Sequence, residues 1–193
     1  MQAAKRPATY QDLLQLPEDA RGEIVAGEIV VMPAPLPRHS RVQRALSRQI
    51  GGPFDDDDGR GGPGGWWILL EVDVQLSVED VVRPDMSGWR RNRLTDPWDI
   101  RPIEVVPDWV CEVISVSNAA HDRVTKRGLY ARHGVRHYWI IDPVEGTLEA
   151  LRLEGTQWLE IGSYDATSLA RIEPFEAVEL DVGRLFPPVR TES

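Results

Sequence analysis

With 193 residues and a formal net charge of −9, the chain is long enough for one folded domain that buries most of its apolar surface without metals or disulfides. The acidic balance excludes a protein that coats nucleic acid by bulk attraction, though not a compact enzyme whose carboxylates hold metal. One cysteine, Cys111, rules out an internal disulfide, and no run approaches the ~18 apolar residues of a membrane helix. The opening "MQAAKRPATY" lacks the apolar centre of a signal peptide, so a cytoplasmic protein with no membrane contact is expected.

A single domain over 1–193 is expected, with 1–8 and 188–193 flexible. "ATYQDLLQLPEDA" predicts a short helix, capped by Thr9 with Asp12 three positions on. "GEIVAGEIVVMPAP" predicts a β-hairpin turning at Ala26-Gly27. From Arg38 to Ile50 a helix is expected. Val42, Ala45, Leu46 and Ile50 fall on its core side, Arg38, Arg41, Arg44 and Arg48 form an adjoining basic stripe, and His39 lies on the buried arc. Residues 51–65, rich in Gly and Asp, read as a loop inside the domain that includes Asp55 to Asp58. No Lys-Ser/Thr helix start follows to make a phosphate cradle.

"WWILLEVDVQL" reads as one strand, and "VVRPDMSGW" as the next after the turn "SVED". "PDWVCEVIS" and "VRHYWIID" read as buried strands on either side of the helix "NAAHDRVTKRGLYARHG", which Gly134 ends. "TLEALRLEGTQWLEI" gives a further hairpin. Strand, helix and strand between hairpins predict an α/β fold: a central mixed sheet flanked by helices, with additional hairpins.

Alternation along Trp109 to Ser115 sets Glu112 on one face with Val110 and Ile114. An unpaired carboxylate there costs several kcal/mol or takes up a proton, so Glu112 calls for a metal, a cation or a hydrogen-bond partner. Asp85, after Pro84 at a strand start, can approach it from another strand. Asp108 lies four residues away on the same strand, about 13 Å, and cannot share an ion whose ligands stand within about 2.1 Å. The chain has two lysines against twenty arginines, and only Lys126 lies in the body of the fold. On the helical wheel Lys126 groups with Asp122, Leu129 and Tyr130, opposite Val124, Gly128 and Ala131. Either group could face the sheet, and an exposed Asp122–Lys126 pair is the plainer alternative.

From Tyr10 to Arg152 the motifs "YQDLLQLPEDA", "GEIVAGEIVVMPAPLPRHSRV", "VVRPDMS" and "PDWVCEVISVSNAAHDRVTKRGLYARHGVRHYWIIDP" resemble, in order and spacing, the PD-(D/E)XK nuclease superfamily, in particular the Uma-type restriction endonucleases. The resemblance implies a restriction-endonuclease-like core and a Mg2+-dependent endonuclease acting on DNA, with Mn2+ as a substitute ion. Asp85 matches the Pro-Asp carboxylate and Glu112 the acid of the (D/E)XK element. Ile114 stands where the superfamily lysine usually does, and Lys126 matches members that carry it on the next helix. Ser115-Val116-Ser117 replaces the usual Ser-Pro-Ser. Glu23 and His39 match recurrent positions that would line the site.

On this resemblance Asp85, Glu112 and the Val113 carbonyl would hold the ion, and Lys126 would orient the attacking water. Arg38, Arg41, Arg44 and Arg48 would contact phosphates, and a homodimer would let two sites cut both strands. The alternative is a catalytically degenerate module of the same fold, for nucleic-acid binding or protein interaction. Other chemistries lack their residues: there is no G-x-S-x-G elbow, and His133 and His137 straddle Gly134. His121, His133 and His137 are expected in surface or loop roles, and Trp89, Trp98, Trp109 and Trp139 in the core or an interface.

Overall fold

The structure is a computed structural model that describes residues 6–17, 20–56, 62–115 and 121–188. Lys5, the Asp57-Asp58 end of the acidic tract, the Val116-Ser117 loop change, the Asn118 start of the expected helix and the tail beyond Pro188 lie outside those residues. Within the stretch expected to be flexible, Ala8 N–H donates to the Gly27 carbonyl at 2.7 Å, and Arg6 pairs with Asp12 at 2.7 Å.

Helix α1 (Tyr10–Leu13) begins at Thr9, whose N–H and hydroxyl both donate to Asp12 Oδ2 at 2.8 and 2.7 Å. Strands β1 (Arg21–Val25) and β2 (Glu28–Met32) form the expected hairpin. Its two turn residues, Ala26 (φ 51°) and Gly27 (φ 75°), both take the left-handed conformation that suits the twist of a two-residue hairpin. Helix α2 (Pro37–Leu46) starts on a proline, which needs no N–H there. It runs on through a π-helical turn, Ser47–Gly51, into a short helix α3 (Gly52–Phe54). The stretch expected as one loop therefore begins as helix, because Phe54 is buried with its ring 4.8 Å from that of Phe175.

The run read as one strand from Trp66 is two. It breaks at Glu71, a non-glycine residue at φ 51°, into β3 (Trp66–Leu70) and β4 (Val74–Ser77). The next run likewise divides into β5 (Asp80–Val82) and β6 (Met86–Arg90), because Pro84 has no N–H to give a ladder. The remaining elements are β7 (Trp109–Val113), a π-helical turn His121–Lys126 leading into α4 (Arg127–Arg132), β8 (His137–Asp142), β9 (Thr147–Glu154), β10 (Gln157–Asp165), β11 (Leu169–Ala170) and β12 (Leu180–Asp181).

Among the described residues a six-stranded sheet runs β10-β9-β8-β7-β6-β3, and a four-stranded antiparallel sheet runs β2-β1-β5-β4. β7 and β8 are parallel, as their helical connection requires, while the other pairs of the large sheet are antiparallel. The expected mixed α/β fold is thus present. The chain passes between the two sheets at Glu71 and again at Asp85, and Glu71 N–H meets the Asp85 carbonyl at 3.4 Å, so both carboxylates lie at the seam.

The large sheet is covered on both faces. Val42, Leu46 and Ile50 of the α2 segment join Trp109, Cys111 and Val113 on one, with Phe175 set against the rings of Trp66, Trp109 and Trp139. Leu129 and Tyr130 of α4 join Val110, Ile114 and Tyr138 on the other. Each such fully buried side chain contributes about 1.5–3 kcal/mol. Asp73, buried, ties the small sheet to its surroundings by accepting from Tyr10, Arg83 and Arg101 at 2.7–2.9 Å. Among the described residues no helix is long and apolar enough to cross a membrane.

Candidate active site

At the seam, Asp85 and Glu112 are joined through backbone. Asp85 Oδ2 accepts the Val113 N–H at 2.7 Å, and Asp85 N–H points at Glu112 Oε2 at 3.4 Å. The N–H and C=O of one residue in an extended strand face the same side, so the Val113 carbonyl lies on the Asp85 side of β7. Glu112 keeps the face alternation expects, with Val110 and Ile114, and is buried. Its Oε1 accepts the Tyr130 hydroxyl at 2.6 Å and Lys126 Nζ at 3.0 Å.

Lys126 is 3% exposed. Besides Glu112, its Nζ lies 2.9 Å from Glu23 Oε1 on β1 and 3.6 Å from Asp122 Oδ1. The two orientations left open by the helical wheel are thereby resolved: Leu129 and Tyr130 face the sheet, and Val124 is 72% exposed. The expected α-helix is π-helical from His121 to Lys126. That wider turn, of a kind often found at functional sites, carries Asp122 and Lys126 inward together rather than as an exposed pair.

Glu23 also accepts the Arg83 N–H at 2.8 Å, and His121, expected in a surface or loop role, lies against it with Nε2 at 3.6 Å from Oε2. His39 is buried as expected, with Nε2 at 2.9 Å from Asp85 Oδ1. One cleft of about 390 Å3 is lined by Glu23, His39, Asp85, Glu112, Val113 and Lys126, with the lip Met32 to Leu36 and the cations Arg21 and Arg83. Arg38, Arg41, Arg44 and Arg48 do not line it. Arg38, Arg44 and Arg48 are exposed, and Arg41 donates to the Arg184 carbonyl at 3.0 Å. Asp108 serves the other end of β7, accepting the Arg90 N–H at 2.9 Å and Arg93 at 2.6 Å. His133 bonds Asp80 at 3.0 Å, while Trp98 is exposed beside Trp67.

Sequence reasoning gave Arg21, Glu71 and Arg83 no place in the site. For Glu71 a signal existed: "WWILL" is continuously apolar and "EVDVQL" alternates, so the period changes at the residue where the chain leaves one sheet for the other.

Charge in the cleft is unbalanced. Among the described residues that line it, Glu23, Asp85, Glu112 and Asp122 face Lys126, Arg21 and Arg83 as fixed cations, and Arg21 and Arg83 also pair with Glu71 and Asp73 outside it. Burial would lower the Lys126 pKa, but Glu112, Glu23 and Asp122 outweigh it and hold the ammonium well above its usual value. Burial pushes the Glu112 carboxyl well up, against the pull of Lys126 and with help from Asp85, Asp122 and Glu23. Burial likewise raises Asp122 to about 6, whereas Glu23, despite burial, is drawn down to about 2 by Lys126, His121 and the Arg83 N–H. Glu112 and Asp122, both raised by burial among further carboxylates, fit a neighbourhood that could take a divalent cation, and Asp85, Glu112 and the Val113 carbonyl offer oxygen atoms of the kind such an ion takes.

A family model described as "Uma2: Putative restriction endonuclease" matches residues 8–183. The chain is similar in fold to the crystal structure of a putative nuclease belonging to DUF820 from Anabaena variabilis ATCC 29413. The TM-score is 0.69 at 22% identity, over 93% of this chain and 97% of that one. A cryoEM structure of the DrdV–DNA complex is similar over 52% of this chain and 8% of that chain, at 17% identity and a TM-score of 0.32, too slight a likeness to bear on the fold. No curated protein matches the chain.

Proposed function

The chain belongs to the Uma2 family, described as putative restriction endonucleases, and on that premise we propose that it is a divalent-metal-dependent endonuclease hydrolysing DNA phosphodiester bonds. The observation that carries this reading is the meeting of Asp85, Glu112 and Lys126, from the start of β6, from β7 and from the turn before α4. The ammonium lies 3.0 Å from one Glu112 oxygen, and the Asp85 N–H lies 3.4 Å from the other.

Asp85, Glu112 and the Val113 carbonyl would hold the ion, Mg2+ or Mn2+ in its place, which when bound supplies Lewis-acid polarisation of the phosphate and acidifies water. The remaining work falls to the chain. Tyr130 fixes one Glu112 oxygen by a hydrogen bond of 2.6 Å, and the Val113 N–H fixes one Asp85 oxygen, so both acids are set before substrate arrives. Lys126, kept charged by its carboxylate neighbours, is no proton acceptor. It orients the attacking water and offsets the negative charge that gathers on phosphate oxygens. Glu23, from the other sheet, holds the lysine on course.

The exposed Arg38, Arg44 and Arg48 on the α2 segment, which also carries His39 into the cleft, are available to phosphates flanking the cut. Cutting both strands of a duplex is simplest with two sites, so the working form is a homodimer.

The test is conversion of supercoiled plasmid to nicked and linear forms with Mg2+ or Mn2+, each blocked by EDTA. Sedimentation gives the oligomeric state. Cleavage that persists in EDTA, or no cleavage of any DNA by metal-loaded protein, contradicts this reading, the second outcome in favour of a catalytically degenerate nucleic-acid-binding or interaction module.

A further inference from the structure

The cleft is larger than its charged floor requires. An ion and the few waters around it, at about 30 Å3 each, fill only part of its roughly 390 Å3. One wall of the remainder is Met32, Pro33, Ala34, Pro35 and Leu36, none of whose side chains carries a charge, an N–H or an O–H. From Pro33 on this wall is exposed, Leu36 at 57%. A continuous apolar surface left in water beside charged groups marks a binding surface.

The wall is also stiff. Met32, Ala34 and Leu36 each precede a proline, which confines their backbones to extended forms, and Leu36 stands at φ −76° and ψ 157°. Met32 is anchored by its pairing with Arg21 in the β1–β2 hairpin. At the other end the His39 N–H of α2 donates to the Leu36 carbonyl at 2.9 Å. Little freedom is left to lose when something packs there.

What packs there must be apolar and must sit beside a phosphate. In a stacked duplex the backbone presents phosphate and sugar outward and keeps the base faces inside, so hydrocarbon next to the cut would meet almost nothing it favours. A base that has left the stack offers an apolar face within one nucleotide of its own phosphate. Leu, Met and Pro are also the side chains that wedge between base steps and unstack them. Arg38, exposed two residues beyond Leu36, gives the same edge a cation for a neighbouring phosphate.

We propose that residues 32–36 are a base-binding wall that holds the unstacked base next to the scissile phosphate, so that the preferred substrate is DNA unpaired at the cut, single-stranded or mismatched, over fully paired duplex. The place of the scissile phosphate rests on the nuclease reading above, while the grip on an unstacked base is measurable without cleavage.

The experiment compares three DNAs of one sequence, single-stranded, paired, and paired with one mismatch, each carrying 2-aminopurine, whose fluorescence rises on unstacking. Binding by the full chain is followed in EDTA and cleavage in Mg2+, for wild type, Leu36→Ser, Met32→Ser and Val78→Ser. Wild type is expected to favour the unpaired and mismatched DNAs about tenfold or more, and to brighten the probe in the mismatched duplex. Leu36→Ser, at an exposed position that the fold does not need, should cut binding of mismatched DNA about tenfold and abolish most of the preference. Met32→Ser should act in the same direction. Val78, 79% exposed and outside the cleft, should give a variant that matches wild type.

Equal binding of the three DNAs, or a preference and brightening that survive in Leu36→Ser, overturns the wall. Leu36→Ser that splits a wild-type dimer in sedimentation and leaves the DNA preference intact overturns it too, in favour of a contact between subunits. Leu36-dependent binding of unstacked DNA without cleavage would sink the nuclease reading and leave the wall standing. Metal-dependent cleavage indifferent to pairing and to Leu36 would do the reverse.

Discussion

Lys126 Nζ lies 3.0 Å from Glu112 Oε1, across the fourteen positions that separate a strand from the helix after it. That ammonium is also 2.9 Å from Glu23, so one side chain ties the two sheets together at the cleft. Replacing it with methionine keeps the volume and removes the charge, leaving Glu23, Glu112 and Asp122 buried without a cation. Breaking a buried ion pair from one side costs about 3–5 kcal/mol, and urea denaturation of Lys126→Met against wild type should give a loss of that order. A loss under about 1 kcal/mol would mean that solvent reaches the network.

Glu23 touches the lysine without touching either proposed ion ligand. Glu23→Gln keeps an oxygen for the Arg83 N–H but loses the charge that steadies the ammonium. Single-turnover cleavage should slow by up to about a hundredfold, while calorimetric Mg2+ affinity stays within about twofold. Weaker metal binding with an unchanged rate would reassign Glu23 from positioning the lysine to supporting the ion.

Tyr130→Phe deletes one of the two donors on Glu112 Oε1 and leaves Lys126 in place. Because the acceptor is buried and still has one partner, the expected cost is about 1–3 kcal/mol by chemical denaturation. No measurable change would mean that the hydroxyl contributes nothing net to holding the acid.

Asp122 supplies a pH test. Its carboxyl is raised by burial to about 6, above the ordinary 3.8, so the folded chain binds this proton more tightly than the unfolded chain does. Between those values the folded state carries more protons, and stability therefore falls as pH rises from about 4 to 6. Glu23, drawn down to about 2, works oppositely. Its contribution is complete above its ordinary value of 4.5 and is lost as pH falls toward 2, largely below the Asp122 window. Measured as the difference between metal-free wild type and Asp122→Asn, wild type should lose on the order of a kcal/mol across pH 4–6.5, with no such slope in the variant background. A rising difference would place the Asp122 pKa on the wrong side.

The basic face of the α2 segment is tested by salt. Arg44→Ala with Arg48→Ala should weaken DNA binding alike for all sequences and reduce the slope of log K against log salt by about 2, one for each phosphate that an arginine no longer neutralises. An unchanged slope would leave those arginines as solvated surface.

Much of this site could be read from residues alone, for identifiable reasons. Glu112 stood out because period-two alternation makes a carboxylate among Val110 and Ile114 anomalous, and Asp85 because Pro84 marks a strand start within reach of it. His39 could be placed inward from its helical phase. Alternation and helical phase are local quantities that a sequence carries directly.

The orientation of Lys126 could not be read that way. The wheel groups Lys126 with Asp122, Leu129 and Tyr130 but does not tell which side meets the sheet, and the wider winding from His121 to Lys126 that accompanies the inward placement of both charges leaves no mark in the pattern. Glu71 was missed for a topological reason. The change of period at Glu71 marks a break but does not tell that the two halves belong to different sheets, and the left-handed bend at Glu71 brings that carboxylate beside Asp85. Arg21 and Arg83 reach the cleft through the four-stranded sheet, whose pairing of β1 with β5 spans distant parts of the chain and leaves no local trace.

Anomalous scattering from crystals grown with Mn2+ tests the central claim most directly. The expected result is a peak about 2.1–2.3 Å from carboxylate oxygens of both Asp85 and Glu112 and from the Val113 carbonyl, with Lys126 Nζ still within hydrogen-bonding distance of Glu112. A saturated crystal with no ion between the two acids, or with Lys126 turned out to solvent, would contradict it.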